Sequence, residues 1–420
     1  IRAHTIYTQY TWTHAGTVGM DLEGFGGRQE TQSGVGGMCV VFSLSSGKKA
    51  SVPDKPFPAA EQPLWVLPGS LAIGSVSLAV AKAAAEIQRM SLRGVVDPPT
   101  LTQTLCLYFL LPQMPSQIHV PVSLVTLMSC GRTSPGKLNL LEEIILVPKA
   151  GQRVRQVMKF LCICPRKHDG KCLSALEVEP ATLSDRGAPM FGYDRAEQPL
   201  DLINEACSNL GLQLGSEIHL VLNCAAPELM DYSKGKYEVA TRVFLSPDEL
   251  VDMYHTLISK YPAVVALIDP LRREDAEQWE KLNHLIGRSC ALLSDVTYKP
   301  QGPPPPGVKG HILKHMNEVS VSDLIDITSQ KPDHITMFKA RYGCPLSVQA
   351  VGLGLDYIKL GGLSGSERMS QYNRLMTIEE ELDQLGTLGT SVRPFTEGAE
   401  PRGEALDLPV SLRSYPHLWS

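Results

Sequence analysis

The chain has 420 residues, a hydrophobic content of 43%, a charged content of 20% and a formal net charge of −5. This length is sufficient for one large barrel with a smaller domain, and the composition is typical of a soluble globular protein. A negative net charge without a basic block gives no indication of a nucleic-acid or membrane partner. The most apolar runs, 70–81 and 105–112, are too short to span a bilayer.

The start of the chain and its cysteines indicate a cellular compartment. The sequence begins at Ile1 rather than Met and lacks a secretion-signal pattern, which suggests a truncated start. Ten cysteines are few for a disulfide framework in a chain of this length, so we expect a reduced, cytoplasmic compartment. One cluster, at 162–172, contains three cysteines and a histidine and is compatible with zinc. The apolar run around Cys162 and Cys164 favours instead a strand with buried thiols.

Residues 1–115 are predicted to form an N-terminal α+β capping domain with an irregular start. The glycines of 24–37 indicate a loop, because no GxGxxG pattern leads from a strand into a helix. A strand is predicted at 39–44. A helix of small residues is predicted at 71–85, where alanine, serine and glycine permit close packing.

Residues 116–386 alternate short β-rich runs with helical runs. One helix start is well marked, with Ser246 as N-cap, Pro247 in the first position and Glu249 completing a capping box. Strands are predicted at 217–224, 263–268, 290–293, in a run ending at Lys314, and at 356–360; helices are predicted at 274–286, at 321–329 and in a long run to Leu385. Repeated βα units predict a closed parallel barrel. Residues 387–420 have no periodicity and are predicted to be a flexible tail.

Polar residues follow several of the predicted strands. They are Asn223, Asp269, Asp295, Lys314 and Lys359, and Glu142 and Glu143 directly precede the apolar run 144–147. In a βα barrel the strand ends meet at one face, where catalytic groups lie. Two lysines and several acidic or amide groups on that face indicate a binding site. For each residue alone, a helix cap or a solvated loop position is the simpler interpretation.

Three segments carry a resemblance to a known family. The longest is Gly352-Leu-Gly-Leu-Asp-Tyr-Ile-Lys359-Leu-Gly-Gly, followed by Ser366-Glu-Arg368, Tyr372-Asn373-Arg374-Leu375 and Ile378-Glu-Glu-Glu-Leu382. The others are Gly310-His-Ile-Leu-Lys314 with Ser320-Val-Ser-Asp323, and Tyr261-Pro262 through Ile268-Asp269-Pro270. Over roughly residues 65–385 the chain resembles the enolases, in particular the divergent sperm-type members. The fold implied is an enolase-type βα barrel preceded by an N-terminal α+β capping domain.

The resemblance implies a function and a set of roles. The reaction would be that of phosphopyruvate hydratase, the dehydration of 2-phosphoglycerate to phosphoenolpyruvate in glycolysis, with Mg²⁺ as cofactor. Lys314 matches the base that accepts the proton, and Lys359 matches a second lysine that contacts substrate. Glu143 matches a glutamate of the acid-catalysis and substrate-binding set. The resemblance also implies a homodimer that binds a small phosphorylated acid.

Other family positions are replaced. Where the resemblance implies three magnesium carboxylates, the chain has Asn223, Ile268 and either Ser294 or Asp295. Only Asn223 and Asp295 remain as weak metal candidates, because isoleucine offers no oxygen. Arg186 stands where the family has an acidic catalytic residue. The sequence therefore leaves open a divergent enolase with weak activity, a catalytically silent docking protein with cytoskeletal partners in the sperm flagellum, and a relative that acts on a different carboxylate.

Overall fold

The structure is a computed structural model that describes residues 69–93, 117–149, 151–156, 182–295, 304–313, 320–329, 335–339, 346–389 and 394–395. The chain divides into two compact units, and every described residue lies in the second, Gln62–Ser420. The strand predicted at 39–44, the cysteine–histidine cluster at 162–172 and Lys314 lie outside the described residues.

The described strands form one large sheet and two small ones. In chain order they are β1 (Ile118–His119), β2 (Val122–Ser129), β3 (Glu143–Pro148), β4 (Thr182–Leu183), β5 (Pro189–Met190), β6 (Ile218–Asn223), β7 (Met230–Asp231), β8 (Lys236–Ala240), β9 (Val243–Leu245), β10 (Val264–Ile268), β11 (Ala291–Ser294), β12 (Val308–Leu313), β13 (Ile335–Lys339), β14 (Tyr357–Gly361) and β15 (Leu388–Gly389). Strands β2, β3, β6 and β10–β14 close into a barrel because β14 also pairs with β2. The predicted barrel is confirmed.

One strand of the barrel differs from the predicted parallel arrangement. β3 runs antiparallel to both β2 and β6, whereas the other barrel neighbours are parallel. The repeat of βα units gave no signal for this reversal, because β2 and β3 are joined by a loop rather than by a helix. The reversal has a consequence for the site. Glu143, the first residue of β3, lies beside Asn223, the last residue of β6.

Seven α-helices are described. They are α1 (Ser70–Arg93), α2 (Glu197–Leu210), α3 (Pro247–Lys260), α4 (Ala276–Ile286), α5 (Val321–Ser329), α6 (Leu346–Gly352) and α7 (Ser366–Gln384). The capping box predicted at the start of α3 is confirmed, since the Ser246 hydroxyl accepts from Glu249 N and the Glu249 carboxylate accepts from Ser246 N. Helix α5 has the predicted limits, and α1 extends eight residues beyond its predicted end at residue 85.

Alternate residues of the barrel strands fill its interior. This interior cluster contains Leu124, Ile145, Val147, Val221, Val265, Ala266, Ile268, Ala291, Leu293, Ile312, Ile335, Tyr357 and Phe395. Two further apolar clusters lie between the strands and the helices. Side chains alternate between the two faces of a strand, so residues two positions from an interior residue also face the interior.

Helix α1 contacts the barrel layer through a few small and apolar residues. Leu78 and Ala81 are buried, and Ser77 Oγ accepts a hydrogen bond from Val321 N at 3.0 Å, which joins α1 to the start of α5. On the same helix, Ile73 and Val76 are 58% and 63% exposed. None of the described helices is both long and apolar enough to cross a membrane.

Parts of the predicted C-terminal tail have defined positions. Strand β15 pairs in parallel with β1, with Ile118 opposite Leu388. Phe395 is 5% exposed and stacks on Tyr357, with ring centroids 4.2 Å apart. The prediction of a flexible tail from residue 387 therefore does not apply to these segments, which have a strand register and an apolar contact that the absence of periodicity could not indicate. Residues 396–420 lie outside the described residues.

Candidate active site

The candidate site is built on neighbouring strands at one end of the barrel. Glu143 on β3 is the Cα partner of Asn223 on β6, and Asn223 is in turn the partner of Ile268 on β10. Each belongs to the interior phase of its strand, two residues from an interior apolar residue on the same strand: Ile145, Val221 and Ala266. The barrel thus presents two polar residues and one apolar residue in a single row.

Glu143 is the centre of the polar contacts. Its side chain is 1% exposed, and its Oε2 accepts from Asn223 Nδ2 at 2.8 Å and from Lys359 Nζ in an ion pair. Thr126 Oγ1 donates to Oε1 at 3.4 Å. Lys359 is itself only 3% exposed, because it shares the interior phase of β14 with Tyr357. A buried carboxylate requires compensating donors and positive charge, and these residues supply both.

A second cation reaches Glu143 from outside the barrel strands. Arg186 Nη1 lies 2.7 Å from Glu143 Oε2, and the arginine side chain is 30% exposed. Although the distance is that of an ion pair, the buried Nη1 makes no hydrogen bond of acceptable geometry. Arg186 is therefore a partly exposed ion-pair partner of the buried Glu143 carboxylate.

Two glycines at the end of β14, its last residue Gly361 and the following Gly362, place Arg186 at this position. Gly362 N donates to Arg186 O at 2.8 Å, and Ser364 N donates to Gly187 O at 3.2 Å. A Cβ on Gly362 would overlap the carbonyl oxygen of Gly187, so only glycine permits this backbone contact. The Gly-Gly pair that follows Lys359-Leu thus holds the loop of Arg186 directly against the strand that carries Lys359.

The neighbouring charges and burial shift the pKa values of both Arg186 and Glu142. Burial alone would lower the pKa of Arg186, but the surrounding carboxylates, Glu143 first and then Glu142 and Asp185, together outweigh burial and raise the pKa of Arg186 above its usual value. Burial raises the pKa of Glu142, and repulsion from Glu143 adds to the rise, while Arg186 opposes it. The positive charge of Arg186 is therefore stabilised at this site, whereas ionisation of the Glu142 carboxyl is disfavoured.

The β10 side of the row is apolar. Ile268 is fully buried in the interior cluster, and the following residue, Asp269, adopts a left-handed conformation with φ of 47°. Asp269 Oδ1 accepts from Asp295 N at 2.9 Å, which links the ends of β10 and β11. Asp295, the residue directly after β11, continues the phase of the interior residues Ala291 and Leu293. Of the two residues left open by sequence, Asp295 rather than Ser294 therefore has the interior phase.

These residues do not fit a magnesium site. Magnesium requires several oxygen ligands in near-octahedral geometry. Ile268 stands at the end of the row and offers no oxygen, and Asn223 directs its amide NH₂ to Glu143. In the part of the chain that the structure describes, no group of three His, Cys, Asp or Glu residues could hold a metal ion.

The predicted site residues have different outcomes. The structure brings Glu143, Lys359 and Asn223 together, places Asp295 directly after β11 near Asp269, and does not describe Lys314. The sequence did not predict that Arg186 contacts Glu143. A signal for it existed, because a basic residue stood where the resemblance implied an acidic catalytic group.

Comparison with known proteins gives matches to enolases, both for a family model and for individual relatives. Residues 117–299 match the family described as Enolase, C-terminal TIM barrel domain. Enolase 4 of Danio rerio is 45% identical over 365 residues, an alignment that covers 84% of this chain and 61% of the relative. Enolase 4 of Xenopus laevis is 41% identical over 365 residues, with 82% and 61% covered. Enolase 4 of Homo sapiens is 40% identical over 396 residues, with 86% and 62% covered. The chain spans about three fifths of the length of these relatives.

Proposed function

Because this chain belongs to the enolase family, we propose that it is a divergent enolase that binds a small phosphorylated acid but lacks an efficient magnesium-dependent hydratase site. The reaction of the family is the dehydration of 2-phosphoglycerate to phosphoenolpyruvate. Lys359 and Glu143 are the proposed substrate-contacting pair. Lys314 is the proposed proton acceptor.

The observation that carries this proposal is the set of contacts at Glu143. Its Oε2 is contacted by Asn223, Lys359 and Arg186, and Ile268 adjoins this cluster in the next strand. The lysine and glutamate expected to contact substrate are retained and paired. The neighbouring positions, where cations would be bound, supply an amide and an alkyl group instead. The site therefore keeps the residues proposed to contact substrate but not the residues that would bind a metal.

The chemistry explains why turnover should be low. Removal of a proton beside a carboxylate produces a dianion-like intermediate, and bound cations stabilise such an intermediate. Losing one preorganised charged or hydrogen-bonding group typically costs about a hundred- to a thousandfold in rate. Two metal carboxylates and one acidic group are replaced here, so we expect a large loss. The fold tolerates these changes because Asn223 donates to Glu143 and Ile268 belongs to the apolar interior cluster.

A coupled hydratase assay across a magnesium titration tests the proposal. We expect turnover at least about a thousandfold below that of an active enolase assayed in parallel, with no increase as magnesium is added. Any residual turnover should vanish in Lys314→Ala. Turnover comparable to the active enzyme, with saturable dependence on magnesium, would contradict the proposal.

A docking role is the second candidate function. The observation that favours it is the exposed face of α1, where Ile73, Val76 and Val80 are 58%, 63% and 49% exposed at helical spacing. Exposed apolar groups of this kind often mark protein contacts. The proposed partners are cytoskeletal proteins, in the sperm flagellum or elsewhere in the cytoplasm, or a second copy of the chain in a homodimer.

Sedimentation separates these possibilities. If α1 docks onto the cytoskeleton, the chain should pellet with purified flagellar axonemes, and Val76→Asp should remove it from the pellet. A homodimer through the same face would instead give a dimer that Val76→Asp converts to monomer. A chain that remains monomeric and soluble in both experiments would exclude a docking role for this face.

A further inference from the structure

The cluster around Glu143 suggests how an acid could be held without a metal, an inference that rests on the proposed function. Two of the groups that contact Glu143 Oε2 are Asn223 and Arg186, and both stand at positions where the resemblance implied acidic residues. Each has become a donor. We infer that this site binds the carboxylate of a small phosphorylated acid without a divalent cation, and that the Arg186 guanidinium supplies the positive charge.

The contact at Asn223 argues against a metal between these residues. Its Nδ2 lies 2.8 Å from Glu143 Oε2 and donates directly to it. An aspartate at position 223 would place two carboxylates at this separation, which is tolerated only with a bridging cation or a shared proton. The amide removes that repulsion. Asn223 therefore fits a site in which Glu143 is neutralised by side chains.

The geometry at Arg186 indicates where a ligand would be bound. Nη1 is buried and within 2.7 Å of Glu143, yet it has no aligned hydrogen-bond acceptor. The Arg186 side chain as a whole is 30% exposed, whereas Glu143 is 1% exposed, so Arg186 is the more accessible partner of this ion pair. A planar guanidinium has five donors and can bind an incoming carboxylate in bidentate geometry while one nitrogen stays beside Glu143.

Charge distinguishes this arrangement from a metal site. Lys359 and Arg186 both pair with the single carboxylate of Glu143, so the cluster of these three residues carries a net positive charge. The half-buried Glu142 is disfavoured as an anion, because burial raises its pKa. An anionic ligand would complete the charge balance. A divalent cation would meet two fixed cations instead, and like charges at this range repel.

Thermal melts of the full chain with 2-phosphoglycerate, in EDTA and in magnesium, test the inference. We expect the same rise in Tm in both conditions, because no metal takes part. Arg186→Gln should weaken ligand binding about ten- to a hundredfold, and Arg186→Lys should weaken it less. Arg153→Gln is the matched control. It removes an arginine paired with Asp383, beyond the opposite end of β3, and should leave binding unchanged.

The outcomes separate this inference from the proposed function. A rise in Tm that requires magnesium, or that persists unchanged in both Arg186 variants, would overturn the role of Arg186 while leaving a ligand-binding enolase. No rise in the parent chain under either condition would overturn the proposed function as well. An equal rise with inorganic phosphate alone would contradict recognition of the carboxylate. If Arg186→Gln does not fold, the Arg186→Lys variant and the comparison of EDTA with magnesium still test whether Arg186 binds the ligand without a metal.

Discussion

The two sides of the barrel mouth differ in chemistry although they are adjacent in the sheet. On β3, β6 and β14, Glu143, Asn223 and Lys359 form a closed polar cluster. On β10, the corresponding row position is Ile268, which is fully buried among apolar residues. Both sides belong to the same interior layer of the same barrel. A barrel can therefore keep the groups proposed to contact substrate while the neighbouring strand packs as ordinary core.

This difference teaches how the polar side remains stable without a metal. A buried carboxylate without compensation costs several kcal/mol, so the loss of bound cations would be expected to destabilise Glu143. Arg186 and Asn223 reduce that cost, because the Arg186 guanidinium lies within ion-pair distance of Oε2 and Asn223 Nδ2 donates a hydrogen bond to it. The apolar side requires no such compensation, since Ile268 belongs to the apolar interior cluster and lies opposite Leu293 of β11.

The largest expected effect is at Glu143. Glu143→Ala leaves Lys359 buried without its carboxylate and should destabilise the protein by about 3–5 kcal/mol, measured by urea unfolding. The double variant Glu143→Leu/Lys359→Met removes both charges and should recover much of that loss. A single variant as stable as the parent would mean that the polar side does not depend on this ion pair.

The next largest effect is expected from a double substitution that makes the apolar side of the barrel polar. Asn223→Asp/Ile268→Glu places two carboxylates in the row, and Asp295 follows directly after the neighbouring strand β11. The variant should be less stable than the parent without metal and should gain about 2–3 kcal/mol when magnesium is about a hundredfold above its Kd. Asn223→Asp/Ile268→Gln is the control and should gain much less. Absence of any magnesium response in the first variant would show that more than these residues separates the two sides.

A smaller effect is expected from a substitution at the start of α3, which is distant from both sides of the barrel mouth. Ser246→Ala removes the capping box of α3 and should cost about 1 kcal/mol in unfolding experiments. The response of Tm to 2-phosphoglycerate should be the same as in the parent, because α3 lies outside the barrel. A changed ligand response would indicate that helix stability, rather than the polar cluster, limits binding.

The smallest effect is a pH dependence at Glu142. Burial raises its pKa above the usual 4.5, so the protonated carboxyl favours the folded state. That stabilisation is present below the pKa of the unfolded chain and is lost as pH rises through the folded-state pKa. Glu142→Gln should therefore become more stable relative to the parent as pH increases from about 4 to 7. Glu277→Gln, on the exposed surface of α4, is the control. A difference that does not grow with pH would contradict this account.

Local sequence signals predicted much of the scaffold. The start of α3 at Pro247 and the limits of α5 follow from capping and helical spacing, which depend on neighbouring residues only. The alternation of runs also predicted the barrel. By contrast, the reversal of β3 depends on pairing with β6, which is far away in the chain, and no local pattern encodes it.

Family resemblance supplied the candidate site residues but not the contacts between them. Glu143 and Lys359 were identified by family resemblance, and the structure joins them in one ion pair. The pairing of Arg186 with Glu143 requires the backbone contact between Gly187 and Gly362, a tertiary feature that spacing cannot reveal. Similarly, the burial of Phe395 depends on the stacking partner Tyr357, and a stretch without periodicity gives no indication of it.

Calorimetric titration of magnesium into the chain tests the central claim most directly, because the claim is that side-chain cations replace bound metal at Glu143. The account predicts no saturable heat at micromolar magnesium, in the parent or in Asn223→Ala. Micromolar binding in the parent that disappears in Asn223→Ala would contradict it. That result would mean that Asn223 ligates a metal despite Ile268 beside it, and that the polar side of the barrel mouth is a magnesium site.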